Sequence, residues 1–263
     1  MIPRRYIQEW KANAPWPDDS QVEQDLVIER ALVEIFSDPF LSEHLAFRGG
    51  TALHKIFLKP QVRYSEDIDL VQIKAGPIKP ILEELGKALA FLGMKRTTKP
   101  RAHNNTVVYK FETEIAPIIT MRLKIEINCK EHFTVLGLQK VPFEVKSGWF
   151  SGQCEINTYQ LEELLGTKMR ALYQRRKGRD LFDLEHALAN VKIDGDKLIH
   201  CYKEYMKFSD GEPPTQKMYI ANMDLKMKDD EFMQDIYTIL RPGVEYDNVA
   251  AYEVIKKELL EKI

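Results

Sequence analysis

The sequence contains few cysteines and no close pair of them. Cys129, Cys154 and Cys201 are the only three among 263 residues, and no Cys-x-x-Cys motif occurs. Widely spaced cysteines in an odd number argue against a disulfide framework or a zinc ribbon and favour a reducing compartment. The segment from Met1 to Trp10 lacks the apolar core of a signal peptide, and no apolar run approaches the roughly 20 residues that span a bilayer. We therefore expect a cytoplasmic protein that makes no contact with a membrane.

Net charge and two common catalytic motifs are also missing. The 38 basic and 40 acidic residues leave a formal net charge of −2, which argues against a protein that coats nucleic acid but allows a local basic site. No G-x-x-x-x-G-K-S/T motif occurs, so a P-loop is excluded. No H-E-x-x-H motif occurs either, and the six histidines are scattered, which disfavours a zinc hydrolase.

The pattern of apolar residues predicts an α+β chain with a helical C-terminal half. Apolar spacings of three and four predict helices over about 20–36, 51–57 and 78–92. Alternation predicts strands over 68–71, 106–111 and 118–128, the last two antiparallel, followed by short extended pieces over 141–157. Residues 1–17 are predicted to be irregular, and the pattern is helical from about 158. We expect an N-terminal helical segment (1–40), a core (41–157) and a helical C-terminal domain (158–263).

A Gly-Gly turn is followed by two closely spaced carboxylates. Gly49 and Gly50 let the backbone approach a ligand, the helix that follows begins with unpaired N–H groups, and Thr51 adds a hydroxyl. A triphosphate fits such a place. Residues i and i+2 of a strand point the same way, so Asp67 and Asp69 project together and could share a divalent metal.

A third carboxylate is needed for a two-metal site, which clamps both the attacking and the leaving oxygen. Leu123, Ile125 and Ile127 form the apolar face of a predicted strand, and Glu126 therefore projects from the opposite, polar face. Each signal has an ordinary alternative: a simple turn, a surface Asp-x-Asp, a solvated glutamate. Their occurrence in this order, with Ser65 just before the acidic pair, is much rarer by chance.

Gly-Gly-Thr-Ala-Leu followed by Arg-x-Ser-x-Asp-x-Asp-Leu resembles the AbiEii/AbiGii (MenT-type) nucleotidyltransferase toxins of the DNA polymerase β-like superfamily. The resemblance covers roughly residues 45–190. It implies a polymerase β-like nucleotidyltransferase core with a mixed or antiparallel sheet, a helical C-terminal domain, an NTP donor and Mg²⁺ or Mn²⁺. It implies that Asp67, Asp69 and Glu126 bind metal and that Gly49, Gly50, Thr51 and Ser65 contact the triphosphate.

A lysine lies within an apolar helical stripe. Leu161, Leu164, Leu165, Met169 and Leu172 form an apolar arc, and Lys168 falls near its centre. An inward-facing lysine needs an anionic partner, because burying an unpaired ammonium is costly. Either Lys168 pairs with a structural carboxylate or extends its ammonium to solvent, or it binds phosphate as a point charge.

The next predicted helix opens with Arg-Asp-x-x-Asp-Leu, after Gly178, which is predicted to end the helix before it. Asp180 and Asp183 could simply complement the helix dipole, and Asp183 is predicted to lie further from the inward face. The resemblance extends to this block and implies that Lys168 contacts the triphosphate and that Asp180 is catalytic or orients Lys168. Six basic residues and one acidic residue between 168 and 180 give this segment a net charge of +5. A solvated helix end would account for this charge, and so would a surface that binds an RNA acceptor.

The hypothesis is therefore a metal-dependent nucleotidyltransferase that releases pyrophosphate. The resemblance implies the toxin of a toxin–antitoxin or phage-defence pair, with the 3′ end of tRNA as acceptor and a separate-chain antitoxin. We expect a monomer. A nucleotide-binding effector without turnover, for example one that binds GTP, is an alternative, and so is a nucleotidyltransferase that modifies a small molecule or a protein.

Overall fold

The computed structural model describes residues 2–93, 95–101 and 103–263. Two compact units share the chain. The first comprises Met1–Ile56, Tyr64–Phe133 and Leu138–Tyr159, and the second comprises Phe57–Arg63, Thr134–Gly137 and Gln160–Ile263. The boundaries at 40 and 157 stay predictions.

The first unit is built on a seven-stranded mixed sheet. Its strands are β1 (Leu45–Arg48), β2 (Asp67–Gln72), β3 (Arg96–Lys99), β4 (Asn104–Glu112), β5 (Thr120–Asn128), β6 (Leu138–Lys146) and β7 (Ser151–Tyr159), in the order β3-β4-β5-β2-β1-β7-β6. β2 runs parallel to β5, β1 runs parallel to β7, and the other pairs are antiparallel. The mixed sheet, its predicted strands and the antiparallel β4–β5 pair confirm the α+β prediction.

The described residues of the first unit form five α-helices: α1 (Arg4–Trp10), α2 (Asp19–Ser37), α3 (Pro39–His44), α4 (Gly49–Ala52) and α5 (Lys79–Ala88). A π-helical turn, Leu53–Phe57, extends α4. Residues 1–17 were predicted to be irregular, and α1 corrects that prediction for the described part. The helix is anchored by the buried side chains of Ile7 and Trp10 alone, which is too few apolar positions to show a period.

The core of the sheet lies where the alternation predicts it. Leu123, Ile125 and Ile127 of β5 are fully buried. Tyr109 of β4 is paired with Leu123 and is 1% exposed; its hydroxyl donates to the backbone oxygen of Leu85 in α5 at 3.4 Å. This face of the sheet is therefore covered by helices, and the residues between, including Glu126, project from the other face.

The second unit contains six helices in its described residues: α6 (Leu161–Gln174), α7 (Gly178–Asn190), α8 (Gly195–Asp210), α9 (Gln216–Lys226), α10 (Asp230–Gln234) and α11 (Asn248–Glu258). Gly178 does not end α6, as was predicted, but begins α7. A Cβ atom at Gly178 would lie 2.2 Å from the backbone oxygen of Phe232, so close packing rather than chain reversal requires this glycine.

A buried glutamate ties the short segment Thr134–Gly137 to the helices of the second unit. Glu163 of α6 is fully buried. Its carboxylate accepts hydrogen bonds from the backbone N–H groups of Val135 at 2.8 Å and Leu136 at 2.9 Å and from the hydroxyls of Thr134 and Tyr205, both at 2.8 Å. Four donors satisfy a charge that would otherwise be costly to bury.

Among the described residues, no helix combines the length and the apolar character that crossing a bilayer requires.

Candidate functional site

The three predicted metal-binding carboxylates lie on one face of two neighbouring strands. Asp69 of β2 is opposite Glu126 of β5 in the parallel register, and Asp67 lies two residues before Asp69. Ile68 and Ile125, which alternate with them, are fully buried on the other face. The parallel pairing of β2 with β5 therefore brings together carboxylates that are almost 60 residues apart in the sequence.

Lys124 supplies a cation to this cluster. Its Nζ lies 2.7 Å from Asp67 Oδ2 and 3.5 Å from Glu126 Oε1. Burial acts to lower the pKa of Lys124, but the hydrogen bond and charge of Asp67, with the charges of Glu126 and Asp69, raise it overall. Burial raises the pKa of Asp67 in spite of Lys124, which acts to lower it, and Glu66 and Glu126 raise it further. The three carboxylates thus stabilise the positively charged form of Lys124.

The Gly-Gly turn packs directly against one of the carboxylates. Gly49 has φ +81°, and a Cβ atom on it would lie 2.1 Å from Asp69 Oδ2. β1 pairs with β2, with Arg48 opposite Asp69, so the turn that follows β1 begins beside Asp69. Glycine is therefore required at residue 49 both by its backbone conformation and by the closeness of the carboxylate.

Thr51 and Ser65 hold the turn to the start of β2. Thr51 is 1% exposed, and its hydroxyl donates to the backbone oxygen of Asp67 at 2.5 Å. The Ser65 hydroxyl lies 2.6 Å from the Thr51 hydroxyl and acts as the donor there, because the single proton of Thr51 is already used. The two predicted triphosphate contacts thus fix the position of Asp67.

The helical segment after the turn is anchored by a buried ion cluster. Lys55 is 2% exposed and its Nζ lies 2.9 Å from Asp25 and 2.7 Å from Glu29, both in α2. Trp10 donates its indole N–H to Asp25 at 2.9 Å. A buried ammonium with two carboxylates and further hydrogen bonds has little freedom to move, so Gly49 and Gly50 begin a rigid segment.

Gly49→Ala is expected to lower both stability and activity. A non-glycine residue in the left-handed region costs about 1–2 kcal/mol, and the added Cβ would push the Asp69 carboxylate aside. Gly211→Ala is the matched control, since Gly211 has φ +86° and nothing lies within 4 Å of its Cβ position. Thermal unfolding should show a loss in both variants, whereas nucleotide transfer should fall in Gly49→Ala alone. Equal activities would contradict the placement of Asp69.

The donor set of the cluster fits a divalent cation. Two aspartates and a glutamate are the oxygen ligands that Mg²⁺ prefers, and the ammonium of Lys124 already lies among them. In the described part of the chain no three His, Cys, Asp or Glu side chains are gathered as a ready metal site. The reason is local: Asp67 and Glu126 are directed at Lys124, so a metal would have to take the place of its ammonium.

Lys168 and Asp180, predicted from the C-terminal half, meet in a buried network of the second unit. Lys168 is 6% exposed, and its Nζ lies 2.9 Å from Asp180 Oδ1 and 2.8 Å from Asp183 Oδ2. Arg175 donates to both oxygens of Asp180, at 2.6 and 2.8 Å. Burial acts to raise the pKa of Asp180, but Lys168 and Arg175 lower it overall. The predicted inward direction of Lys168 is confirmed, and its anionic partners are two aspartates.

Arg63, the first residue of the Arg-x-Ser-x-Asp-x-Asp-Leu motif, completes this network, and the motif alone assigned it no role. It is 2% exposed and donates to both oxygens of Asp183, at 2.6 and 2.7 Å. Asp183 is fully buried, so the prediction that it lies further from the inward face than Asp180 is wrong. Its partner is 120 residues away in the sequence, so the motif could indicate that Arg63 matters but not which residue it contacts.

Comparisons with known proteins identify the family and the fold of this chain. The family model of the nucleotidyl transferase AbiEii toxin, type IV toxin–antitoxin system, matches residues 30–253. MenT4, a nucleotidyltransferase toxin of Mycobacterium tuberculosis H37Rv, is similar in structure with a TM-score of 0.68 at 16% identity, over 100% of this chain and 91% of that chain. This similarity shows the nucleotidyltransferase fold that was predicted.

A second solved structure, an antigenic nucleotidyltransferase-like protein from Paracoccidioides brasiliensis, has a TM-score of 0.41 at 14% identity, over 76% of this chain and 92% of that chain. A similarity of that size supports no inference about this chain. No curated protein matched the sequence. Because the family model covers most of the sequence, this chain belongs to the AbiEii family of nucleotidyltransferase toxins of type IV toxin–antitoxin systems.

Proposed function

We propose that this protein transfers a nucleoside monophosphate from an NTP to an RNA acceptor such as the 3′ end of tRNA and releases pyrophosphate. The observation that carries the proposal is the register of β2 with β5, which sets Asp69 opposite Glu126 with Asp67 on the same face. Three carboxylates beside a Gly-Gly turn suit a reaction in which positioning and electrostatic stabilisation supply most of the catalysis.

Asp67, Asp69 and Glu126 would hold Mg²⁺ or Mn²⁺, which neutralises developing charge on the phosphate oxygens when it is bound. Gly49 and Gly50 offer backbone that can approach the triphosphate, and Thr51 and Ser65 keep this turn in place through their bonds to β2. In this proposal Glu126 also orients or deprotonates the attacking hydroxyl. The chain's own residues thus bind the donor and position the acceptor.

In this proposal Lys168 contacts the triphosphate and Asp180 orients Lys168. The 2.9 Å bond between them supports the orienting role of Asp180. A phosphate would compete with Asp180 and Asp183 for the ammonium. We further propose that the protein acts in the cytoplasm as a monomer. We also propose that a separate antitoxin chain counteracts it, which the toxin–antitoxin description of the family supports.

A transfer assay tests this function. The protein is incubated with each of the four NTPs, labelled at the α-phosphate, with Mg²⁺ or Mn²⁺ and with total RNA or total protein. We expect label at the 3′ end of an RNA and release of pyrophosphate. Label on a protein or a small molecule would identify a different acceptor, and NTP binding without pyrophosphate release would support a non-catalytic effector. Either result would contradict the proposal.

A further inference from the structure

A row of cations crosses the sheet face that carries the three carboxylates. Arg122 lies four residues before Glu126 in β5 and, by alternation, projects from the same face. Lys110 of β4 is directly opposite Arg122. The backbone N–H of Lys110 donates to the oxygen of Lys95 at 3.3 Å, so Lys95 continues the row beyond β4. All three residues, called the cationic row below, are exposed.

No carboxylate of the described residues pairs with the cationic row. In residues 2–93, 95–101 and 103–263, no carboxylate lies within 4.0 Å of the charged groups of Lys95, Lys110 or Arg122. Lys140 and Lys146 of β6, by contrast, are paired with glutamates at 3.8 and 2.8 Å. Like charges directly opposite each other in an antiparallel pair are destabilising. The pair of Lys110 with Arg122 therefore weakens the sheet unless an anion lies between them.

The neighbouring strands also carry little negative charge. Residues 95–111, which form β3 and most of β4, include five Lys or Arg and no Asp or Glu. Glu112 follows on the same face of β4, opposite Thr120, and pairs with none of the row. Lys99 lies opposite Thr106, which lies opposite Glu126. Positive charge thus extends along the sheet up to the carboxylates.

The distance between the row and the carboxylates indicates the kind of anion. Four residues separate Arg122 from Glu126, which corresponds to about 14 Å along a strand. The phosphates of a nucleotide bound at the carboxylates do not extend so far along the strand. The phosphates of a polynucleotide whose end reaches the carboxylates do, and lysine and arginine side chains are the usual phosphate contacts of RNA-binding surfaces.

We propose that Lys95, Lys110 and Arg122 bind the phosphate backbone of the RNA acceptor and direct its 3′ end toward Asp67, Asp69 and Glu126. The inference rests on the proposed function and adds the surface that receives the acceptor. These contacts depend on the charge of the phosphates and not on the base sequence. The row therefore contributes to the affinity for RNA and to the position of the bound strand. Selection among RNAs depends on other features of the acceptor.

The test is the double variant Lys110→Gln/Arg122→Gln in the full chain. Its affinity for fluorescein-labelled bulk tRNA is measured without NTP over a series of salt concentrations. We expect a loss of about tenfold at 0.1 M salt and a fall in the salt slope of about 1.4, because each contact to single-stranded RNA contributes about 0.7. Lys140→Gln/Lys146→Gln removes the same charge from β6 and should change neither quantity.

Thermal unfolding separates lost binding from lost structure. Removing two opposed cations should leave the melting temperature of Lys110→Gln/Arg122→Gln equal to that of the wild type or higher. Unchanged tRNA affinity and salt slope, or an equal loss in the β6 control, would overturn the inference. So would poly-L-glutamate that binds through the same two side chains as tightly as tRNA, since the row would then receive an acidic protein.

The transfer assay keeps the two proposals apart. If the wild type labels RNA and the double variant has an unchanged KM for RNA, the cationic row is not the acceptor surface and the proposed function stands. If the wild type labels no RNA although the row binds tRNA as expected, the proposed function fails and the binding surface stands. A raised KM for RNA with an unchanged KM for NTP supports both.

Discussion

Asp69→Asn is expected to reduce nucleotide transfer by about 10³-fold, the range found when one electrostatic stabiliser of a transferring phosphoryl group is removed. Asparagine keeps the size of the side chain beside Gly49 but removes the negative charge opposite Glu126. The loss should therefore appear in kcat while the melting temperature changes little. Pyrophosphate release at saturating NTP and RNA measures it.

Glu66→Gln is the matched control for this prediction. Glu66 adjoins Asp67 but is exposed, and alternation directs its side chain away from the carboxylate face. Its activity should stay within about twofold of the wild type, because surface charges outside the site contribute little. Activity in Asp69→Asn close to that of Glu66→Gln would remove Asp69 from the catalytic machinery and would leave the fold unaffected.

Lys168→Met is expected to destabilise the second unit by about 3–5 kcal/mol, which is the usual cost of removing one partner from a buried ion network. The change leaves Asp183 with Arg63 and Asp180 with Arg175, and it removes a cation that both aspartates share. For a chain of this size the loss corresponds to a fall in melting temperature of about 10 °C. Calorimetry or circular dichroism measures it.

The control for Lys168→Met comes from the same basic segment. Arg176 is 73% exposed and pairs with Asp229 at 3.3 Å, so Arg176→Met should cost no more than about 1 kcal/mol. NTP affinity, measured at a temperature where Lys168→Met is folded, then tests the proposed phosphate contact separately. An unfolding free energy equal to that of the wild type would mean that the network around Lys168 does not stabilise the fold.

Local periodicity was enough to predict which side chains share a face. The alternation in β5 placed Glu126 away from the core, and the fully buried Ile125 bears this out. The apolar arc of α6 placed Lys168 inward, where it is found. Both predictions depend only on neighbours within one strand or helix, for which the direction of a side chain follows from its position in the sequence.

Contacts between segments that are far apart in the chain could not be predicted from the sequence. Lys124 lies on the same face of β5 as Glu126, but its bond to Asp67 depends on the pairing of β2 with β5. Strands β3 and β4 lie between these two strands in the sequence. The bond of Arg63 to Asp183 spans 120 residues. Such pairings are decided by tertiary packing, which no local propensity encodes. Gly178 was misinterpreted for the same reason, since the atom that requires it belongs to Phe232.

The interleaving of the two units has a consequence for how this protein can be divided. The chain passes from one unit to the other five times, at about residues 56, 63, 133, 137 and 159. A fragment that ends at Tyr159 would keep Phe57–Arg63 and Thr134–Gly137 but would lose Asp183 and Glu163, to which these segments are bonded. A cut at residue 159 therefore divides the second unit and separates two of its segments from the side chains that bind them.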